Sequence, residues 1–73
     1  MKNRTRHSGT FEIVRRERSS ANGNPRYLCR CDGYYFYTAP DSALGYKVKN
    51  FDGKPATVVI GTYHGRLTLE SIQ

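Results

Sequence analysis

The 73-residue chain has no tryptophan, only two cysteines and two histidines, and no long apolar run. Two cysteines are too few for the disulfide framework that supports many small secreted domains. A membrane span needs about 18 consecutive apolar residues, and the basic residues at the amino terminus are not followed by the apolar stretch of a signal peptide. These absences predict a cytoplasmic location in a reducing compartment and no membrane partner.

The few cysteines and histidines also argue against a metal centre or a nucleophilic active site. Structural zinc sites usually pair cysteines at Cys-x-x-Cys spacing, whereas a single residue separates Cys29 and Cys31. Two residues apart on a strand, these thiols would share a face yet lie too far apart for an unstrained disulfide. His7 and His64 are distant from both in the sequence. We predict two reduced core thiols, no cofactor, no metal and no catalytic residue.

Positive charge is what the chain has in excess. Lysine and arginine number 12 against 6 acidic residues, which gives a net charge of +6 and a pI near 9.7. Eight of the 12 are arginine, the residue better suited to bidentate phosphate contacts and to stacking on aromatic rings. This surplus predicts an acidic partner, either nucleic acid or the acidic face of a protein. The alternative is that the charge serves only solubility.

The most informative stretch is residues 25–39, which contains four of the six tyrosines. Asp32-Gly33 between two apolar and aromatic runs is typical of a β-hairpin, because both central residues of a type I′ turn need positive φ. Pairing outward from this turn sorts the side chains onto two faces, since faces alternate along a strand. The predicted core face carries Tyr27, Cys29, Cys31, Tyr34 and Phe36. The predicted second face carries Arg26, Leu28, Arg30, Tyr35 and Tyr37.

The remaining sequence predicts a small all-β domain. Residues 1–9 are polar and basic without periodicity and are predicted to be a flexible arm, while residues 10–73 form a single domain. Pro40 and Gly45 favour one short helical turn at residues 40–45. Further strands are predicted at residues 10–18, 46–51, 56–63 and 66–72, with Tyr46 and Val48 pointing inward. A two-residue turn between the last two strands predicts the pairs Thr62–Leu67, Ile60–Leu69 and Val58–Ser71.

Turn signals occur about every ten residues, a spacing typical of small barrels and sandwiches. Gly61 within a strand predicts a bulge or a sharp bend, and 73 residues are too few for a seven-stranded sandwich. We therefore predict a five- to six-stranded antiparallel meander that closes into a small barrel. So short a chain gains buried area by association, and a homo-oligomer is a further expectation.

Three stretches resemble small proteins encoded by phages of actinobacteria. They are Ser-Ala-Asn-Gly-Asn-Pro-Arg-Tyr at 20–27, Thr-Ala-Pro-Asp-Ser-Ala-Leu-Gly-Tyr at 38–46 and His-Gly-Arg-Leu at 64–67. The family patterns are Asn-Gly-Asn-Pro-Arg-aromatic, Thr-x-x-Asp-x-x-x-x-Tyr and a late Gly-Arg-Ile/Leu strand. The resemblance covers residues 10–72, and this chain departs from it in its cysteine pair and its denser tyrosine cluster. It implies a phage setting in a host cytoplasm, and no activity or functional residue follows from it.

The second face of the hairpin has two interpretations. Aromatic rings flanked by arginine form a platform for single-stranded nucleic acid, on which each stacked base contributes about 1–3 kcal/mol while arginine contacts the backbone. Alternatively, Tyr35 and Tyr37 pack over Leu28 as ordinary cross-strand neighbours. We predict a non-catalytic nucleic-acid-binding module. Its platform is predicted to be Arg26, Arg30, Tyr35 and Tyr37, with backbone contacts from Lys2, Arg4, Arg6, Arg15, Arg16 and Arg18.

A second patch is predicted at the last hairpin, where Tyr63, His64 and Arg66 lie close together in the sequence. Tyrosine and arginine are enriched at protein interfaces. The alternative function is therefore a phage-encoded interaction factor that binds and modulates an acidic host protein.

Overall fold

The computed structural model of the chain describes residues 4–18, 23–39, 43–63 and 65–73. Within these residues the strands form one closed barrel in the order β1-β2-β3-β5-β4, and a short helix lies between β3 and β4. The predicted small barrel with one short helix is confirmed. The elements are β1 (Thr5–Glu17), β2 (Arg26–Cys31), β3 (Tyr34–Thr38), α1 (Leu44–Val48) with a 3-10 turn (Lys49–Phe51), β4 (Lys54–Tyr63) and β5 (Arg66–Ile72).

The barrel is mixed, which corrects the predicted antiparallel meander. β3 and β5 run parallel through the pairs Tyr37↔Thr68 and Thr38↔Leu69, whereas every other pair of neighbouring strands is antiparallel. The helical connection after β3 brings β4 against β1, so β3 meets β5 instead of β4. Turn residues specify hairpins, but no local signal specifies which strands meet across a helical connection.

β1 is long and has two neighbours. Residues 5–11 pair with β4 and residues 12–17 pair with β2, with a bulge between Ile13 and Arg15. A bulge bends a strand and increases its twist, which lets one strand serve two sides of a small barrel. The predicted flexible arm is therefore wrong from Thr5 onward, because β4 supplies backbone partners for those residues. Lys2 of the predicted arm and residues 40–42 of the predicted helical turn lie outside the described residues.

The β2–β3 hairpin has the predicted register in all four pairs, from Cys31↔Tyr34 to Leu28↔Tyr37. Asp32 and Gly33 have φ values of 54° and 79°, as a type I′ turn requires. Four of the five predicted core residues on this hairpin are buried, and the exception is Tyr34, which is 47% exposed at the end of the barrel. The buried core cluster is Phe11, Tyr27, Cys29, Cys31, Phe36, Val48, Ala56, Val58, Ile60, Leu69 and Ile72.

The predicted strand at residues 46–51 is wrong, because these residues belong to α1 and the 3-10 turn. Val48 is fully buried as predicted, but Tyr46, which was predicted to point inward, is 59% exposed. Apolar residues two positions apart fit a strand, and over so short a segment they do not exclude a helix. The need to connect β3 to β4 across the end of the barrel favours the helix over the strand.

The β4–β5 hairpin agrees with the predicted pairs Thr62↔Leu67 and Ile60↔Leu69, while the predicted pairing of Val58 with Ser71 is wrong. A bulge between Val59 and Ile60 shifts the register and places Ile72 opposite Val58. Ile72 thereby enters the core. The irregularity predicted near Gly61 thus exists one residue earlier.

α1 lies closely against the chain that enters β2. Gly45 is buried, and a Cβ at this position would overlap the carbonyl oxygen of Pro25. A backbone carbonyl cannot move aside as a flexible side chain does. Glycine is therefore required here for packing and not for its backbone dihedral angles.

We expect Gly45→Ala to lower the free energy of unfolding by about 1–3 kcal/mol through overpacking. In an unobstructed helix the same change would raise stability by about 1 kcal/mol. Urea denaturation followed by circular dichroism measures the difference. Lys47→Ala, an exposed position on the same helix, is the control and should change stability by less than about 0.5 kcal/mol. A stabilised Gly45→Ala protein would contradict the close contact.

Candidate nucleic-acid interface

The outward-facing side chains of β2 and β3 form a surface that β1 and β5 extend on either side. Cross-strand register places them in rows, because directly opposed residues share a face. One row is Glu12–Arg30–Tyr35 and the next is Arg15–Leu28–Tyr37. We call this surface the outer Arg–Tyr face; it comprises Glu12, Arg15, Glu17, Arg26, Leu28, Arg30, Tyr35, Tyr37 and Arg66.

The two tyrosines of β3 differ in exposure. Tyr35 is 50% exposed and presents its ring to solvent, whereas Tyr37 is half-buried opposite Leu28. Tyr35 thus has the exposure that the platform interpretation needs, whereas Tyr37 packs across the strands as the alternative interpretation expects. Both rings still reach the outer surface.

Arg30 is held in place by neighbours on both adjoining strands. Its guanidinium donates hydrogen bonds to the Glu12 carboxylate on β1 and, at 3.4 Å, to the Tyr35 hydroxyl on β3. The guanidinium carbon lies 5.9 Å from the centroid of the Tyr35 ring. Hydrogen bonding to Tyr35 and to Glu12 raises the pKa of Arg30. A permanent cation is thereby held beside an exposed ring.

A second ion pair lies farther along β1. Arg15 Nε donates to Glu17 Oε2 at 2.6 Å, and this hydrogen bond raises the pKa of Arg15. Two of the arginines on the outer Arg–Tyr face therefore have a carboxylate partner within the protein. Exposed pairs of this kind are weak and are screened by salt, so a phosphate group can replace the carboxylate.

The second predicted patch is part of the same surface. The Arg66 guanidinium lies 5.3 Å from the centroid of the Tyr37 ring, and Tyr63 is directly opposite Arg66 in the β4–β5 ladder. β5 brings Arg66 to this position because it pairs with β3 in parallel. His64 lies outside the described residues. The sequence could not show this connection, since Tyr37 and Arg66 are 29 positions apart.

The other arginines predicted to contact nucleic acid occupy two regions. Arg16 and Arg18 lie where β1 ends, near Arg26 of the outer Arg–Tyr face, and the guanidinium carbon of Arg16 lies 5.9 Å from the Tyr27 ring centroid. The buried Nε of Arg26 has no hydrogen-bond partner in the part of the chain that the structure describes.

Arg4 and Arg6 are elsewhere on the barrel. Arg4 Nε pairs with Glu70 Oε1 at 2.6 Å, and Arg6 is exposed opposite Val59 of β4. The strand order puts this β1–β4 side across the barrel from the β2–β3 side. The predicted backbone contacts from these two residues are therefore not part of the outer Arg–Tyr face.

A groove beside Tyr35 was not recognised in the sequence. It has a volume of about 330 Å³ and lies between the β1 bulge and the turn before β4. The Ile13 N–H donates to Asp52 Oδ1 at 2.9 Å, which ties the bulge to this turn. The residues that line the groove are Glu12, Ile13, Val14, Arg30, Tyr35, Asp52 and Gly53. The sequence marks Asp52-Gly53 only as a turn.

His7 joins the start of β1 to the tip of the β2–β3 hairpin. Its ring stacks on Tyr34 with centroids 4.2 Å apart, Nε2 lies 2.8 Å from Thr5 Oγ1, and Nδ1 lies 3.6 Å from Asp32 Oδ2. The order hydroxyl, imidazole, carboxylate is that of a catalytic triad. The 3.6 Å separation is too long for a hydrogen bond, and we assign the cluster a structural role.

Cys29 and Cys31 are free and buried, in agreement with the predicted core position. Burial raises the pKa of Cys29 to about 12 and also raises the pKa of Cys31. The Cys31 thiol donates to the Gly9 carbonyl at 3.7 Å. Among residues 4–18, 23–39, 43–63 and 65–73, no three histidine, cysteine or acidic side chains are grouped to hold a metal ion.

Comparisons of the chain with protein-family models, with curated proteins and with solved structures find no match. No helix in the described part of the chain is long and apolar enough to cross a bilayer.

We expect the Cys29 thiol to make stability fall in alkaline solution. Its ordinary pKa is near 9.0 and its pKa in the folded protein is about 12, so the unfolded chain ionises first. The contribution of the neutral thiol is complete below about pH 9 and is lost progressively up to about pH 12. Urea midpoints at several pH values for the wild type and for Cys29→Ala measure it, since other titrations cancel in the comparison. Identical pH dependence in the two proteins would contradict this assignment.

Proposed function

We propose that this protein is a non-catalytic module that binds single-stranded nucleic acid through the outer Arg–Tyr face. The observation that carries the proposal is one exposed surface on which the rings of Tyr35 and Tyr37 are flanked by Arg30 and Arg66. Rings on a sheet provide stacking for bases, while the guanidinium groups on both sides meet the phosphate backbone.

The net charge of this surface is positive, which favours a polyanion, but it is small enough that stacking on the aromatic rings still matters for affinity. Four arginines (15, 26, 30 and 66) and two glutamates (12 and 17) give it a net charge of +2, from 4 − 2. A surface of modest net charge depends on stacking for much of its affinity. The arginines paired with Glu12 and Glu17 remain solvent-exposed, so phosphate can reach them.

The topology adds support at the level of the fold. The strand order β1-β2-β3-β5-β4 with a helix between β3 and β4 resembles the OB-fold, a five-stranded Greek-key barrel. In that fold the face of strands 2 and 3 and the β1–β2 and β4–β5 loops bind oligonucleotides and oligosaccharides. The outer Arg–Tyr face occupies the same strands. Analogy of fold does not establish function; the arginines favour oligonucleotides over neutral sugars.

We place this activity in the cytoplasm of an actinobacterial cell infected by a phage that encodes the protein. The support is the sequence resemblance of residues 10–72 to small proteins of such phages. The partner in this setting is phage or host nucleic acid.

A second candidate partner is the acidic surface of a host protein. Exposed Val14 and half-buried Leu28 lie on or beside the outer Arg–Tyr face, and aliphatic, tyrosine and arginine side chains together are typical of protein interfaces. Capture from nuclease-treated host lysate separates the candidates. This alternative would be favoured by two results together: an acidic host protein stays bound in stoichiometric amounts after nuclease treatment, and the purified chain shows no affinity for oligonucleotides.

We expect binding to a fluorescein-labelled oligo-dT strand to weaken steeply with salt. If the four arginines of the outer Arg–Tyr face each meet a phosphate, the plot of log K against log salt concentration has a slope of about −3, since single strands give about −0.7 per contact. Fluorescence anisotropy between low and moderate salt measures the slope. Salt-independent association, or none at low salt, would overturn the proposed function.

Two pairs of matched substitutions test the location of the site. Tyr35→Ala should weaken binding about 5- to 150-fold through loss of one stacked base. Tyr46→Ala, at a tyrosine of similar exposure on α1, should leave the affinity unchanged. Arg66→Ala should reduce the magnitude of the salt slope by about 0.7. Arg6→Ala removes the same charge from the β1–β4 side and should leave the slope unchanged. Equal effects within either pair would place binding elsewhere.

A further inference from the structure

The groove beside Tyr35 has the size of a site for one small planar group. Its volume of about 330 Å³ is near the lower end of the range for ligand pockets, which begins at about 300 Å³. Tyr35 belongs both to the groove and to the outer Arg–Tyr face. A base that leaves the stack at Tyr35 can therefore enter this groove.

The polar groups that line the groove have two kinds of hydrogen-bonding capacity. Arg30 supplies donors: its guanidinium has five N–H groups, of which Glu12 and Tyr35 engage two. Glu12 and Asp52 supply acceptors: Arg30 engages one oxygen of Glu12, the Ile13 N–H engages one oxygen of Asp52, and each carboxylate has a second oxygen.

We propose that this groove binds an unstacked guanine and makes the protein prefer single strands that contain guanine. Guanine presents O6 and N7 as neighbouring acceptors, which match the guanidinium group of Arg30. Its N1–H and N2 amino group are neighbouring donors, which match a carboxylate of Glu12 or Asp52. This inference rests on the proposed function, since it identifies the base that the same surface selects.

The other bases match this lining less well. Thymine offers one imide N–H between two carbonyl oxygens and has no amino group for a carboxylate. Adenine and cytosine each present a single amino group and no adjacent ring N–H on the Watson–Crick edge. Only guanine offers a pair of donors to a carboxylate and a pair of acceptors to an arginine.

The test uses fluorescein-labelled oligo-dT strands that carry one central dG, dA, dC, dT or deoxyinosine, with affinity measured by anisotropy at fixed salt. The dG strand should bind about tenfold more tightly than the all-dT strand, within the range of one good bidentate base contact. Deoxyinosine lacks the N2 amino group and should bind with intermediate affinity. Equal affinity for the dG and all-dT strands would overturn the groove assignment and leave the proposed function standing. No binding to any strand would overturn both.

Variants with one charge removed assign the preference to the groove. Asp52→Asn keeps an oxygen for the Ile13 N–H, and Glu12→Gln keeps one for Arg30; the variant that removes the carboxylate used by guanine should bring the dG-to-dT affinity ratio toward one. Glu17→Gln makes the same charge change on the outer Arg–Tyr face outside the groove. It should tighten binding to every strand and preserve the ratio. Loss of preference in Glu17→Gln, or its retention in folded Asp52→Asn and Glu12→Gln, would contradict the assignment; thermal melts establish folding.

Discussion

The structure depends on one long strand whose two halves pair with different neighbours. β1 bonds to β4 along residues 5–11 and to β2 along residues 12–17; the change of partner occurs between Phe11 and Glu12, just before the bulge between Ile13 and Arg15. A straight strand cannot follow the wall of a five-stranded barrel, so the bend at the bulge allows closure. The hydrogen bond from Ile13 to Asp52 fixes the bend against the turn that precedes β4.

The same strand builds part of the candidate site. From Glu12 onward, β1 lies beside β2, and this pairing places Glu12 next to Arg30, which in turn contacts Tyr35. On the far side of β3, the parallel pairing of β5 brings Arg66 over Tyr37. Rings in the centre with cations on both flanks are the arrangement on which the proposed binding of single-stranded nucleic acid rests. The carboxylates among them lower the net positive charge of this surface, and in the proposed guanine site they would accept hydrogen bonds from a base edge.

Local chemistry predicted a large part of the fold. The Asp32-Gly33 turn alone determined the register of the β2–β3 hairpin, because only a few turn types connect two strands through two residues. Alternation along β2 and β3 then sorted core from surface correctly, with Tyr34 as the exception. The helical segment that contains Tyr46 was predicted as a strand, since a pattern this short fits both periods.

The sequence by itself determined the hairpins, the all-β class, the burial of Cys29 and Cys31 and the Arg–Tyr composition of one face. Only the tertiary structure decided that β5 runs parallel to β3, that residues 5–9 form part of the barrel, and that the two predicted patches are one surface beside a groove. The physical reason is the range of the interactions. Turn dihedral angles and side-chain alternation act between neighbours in the chain, whereas barrel closure joins residues as distant as Thr5 and Ile60.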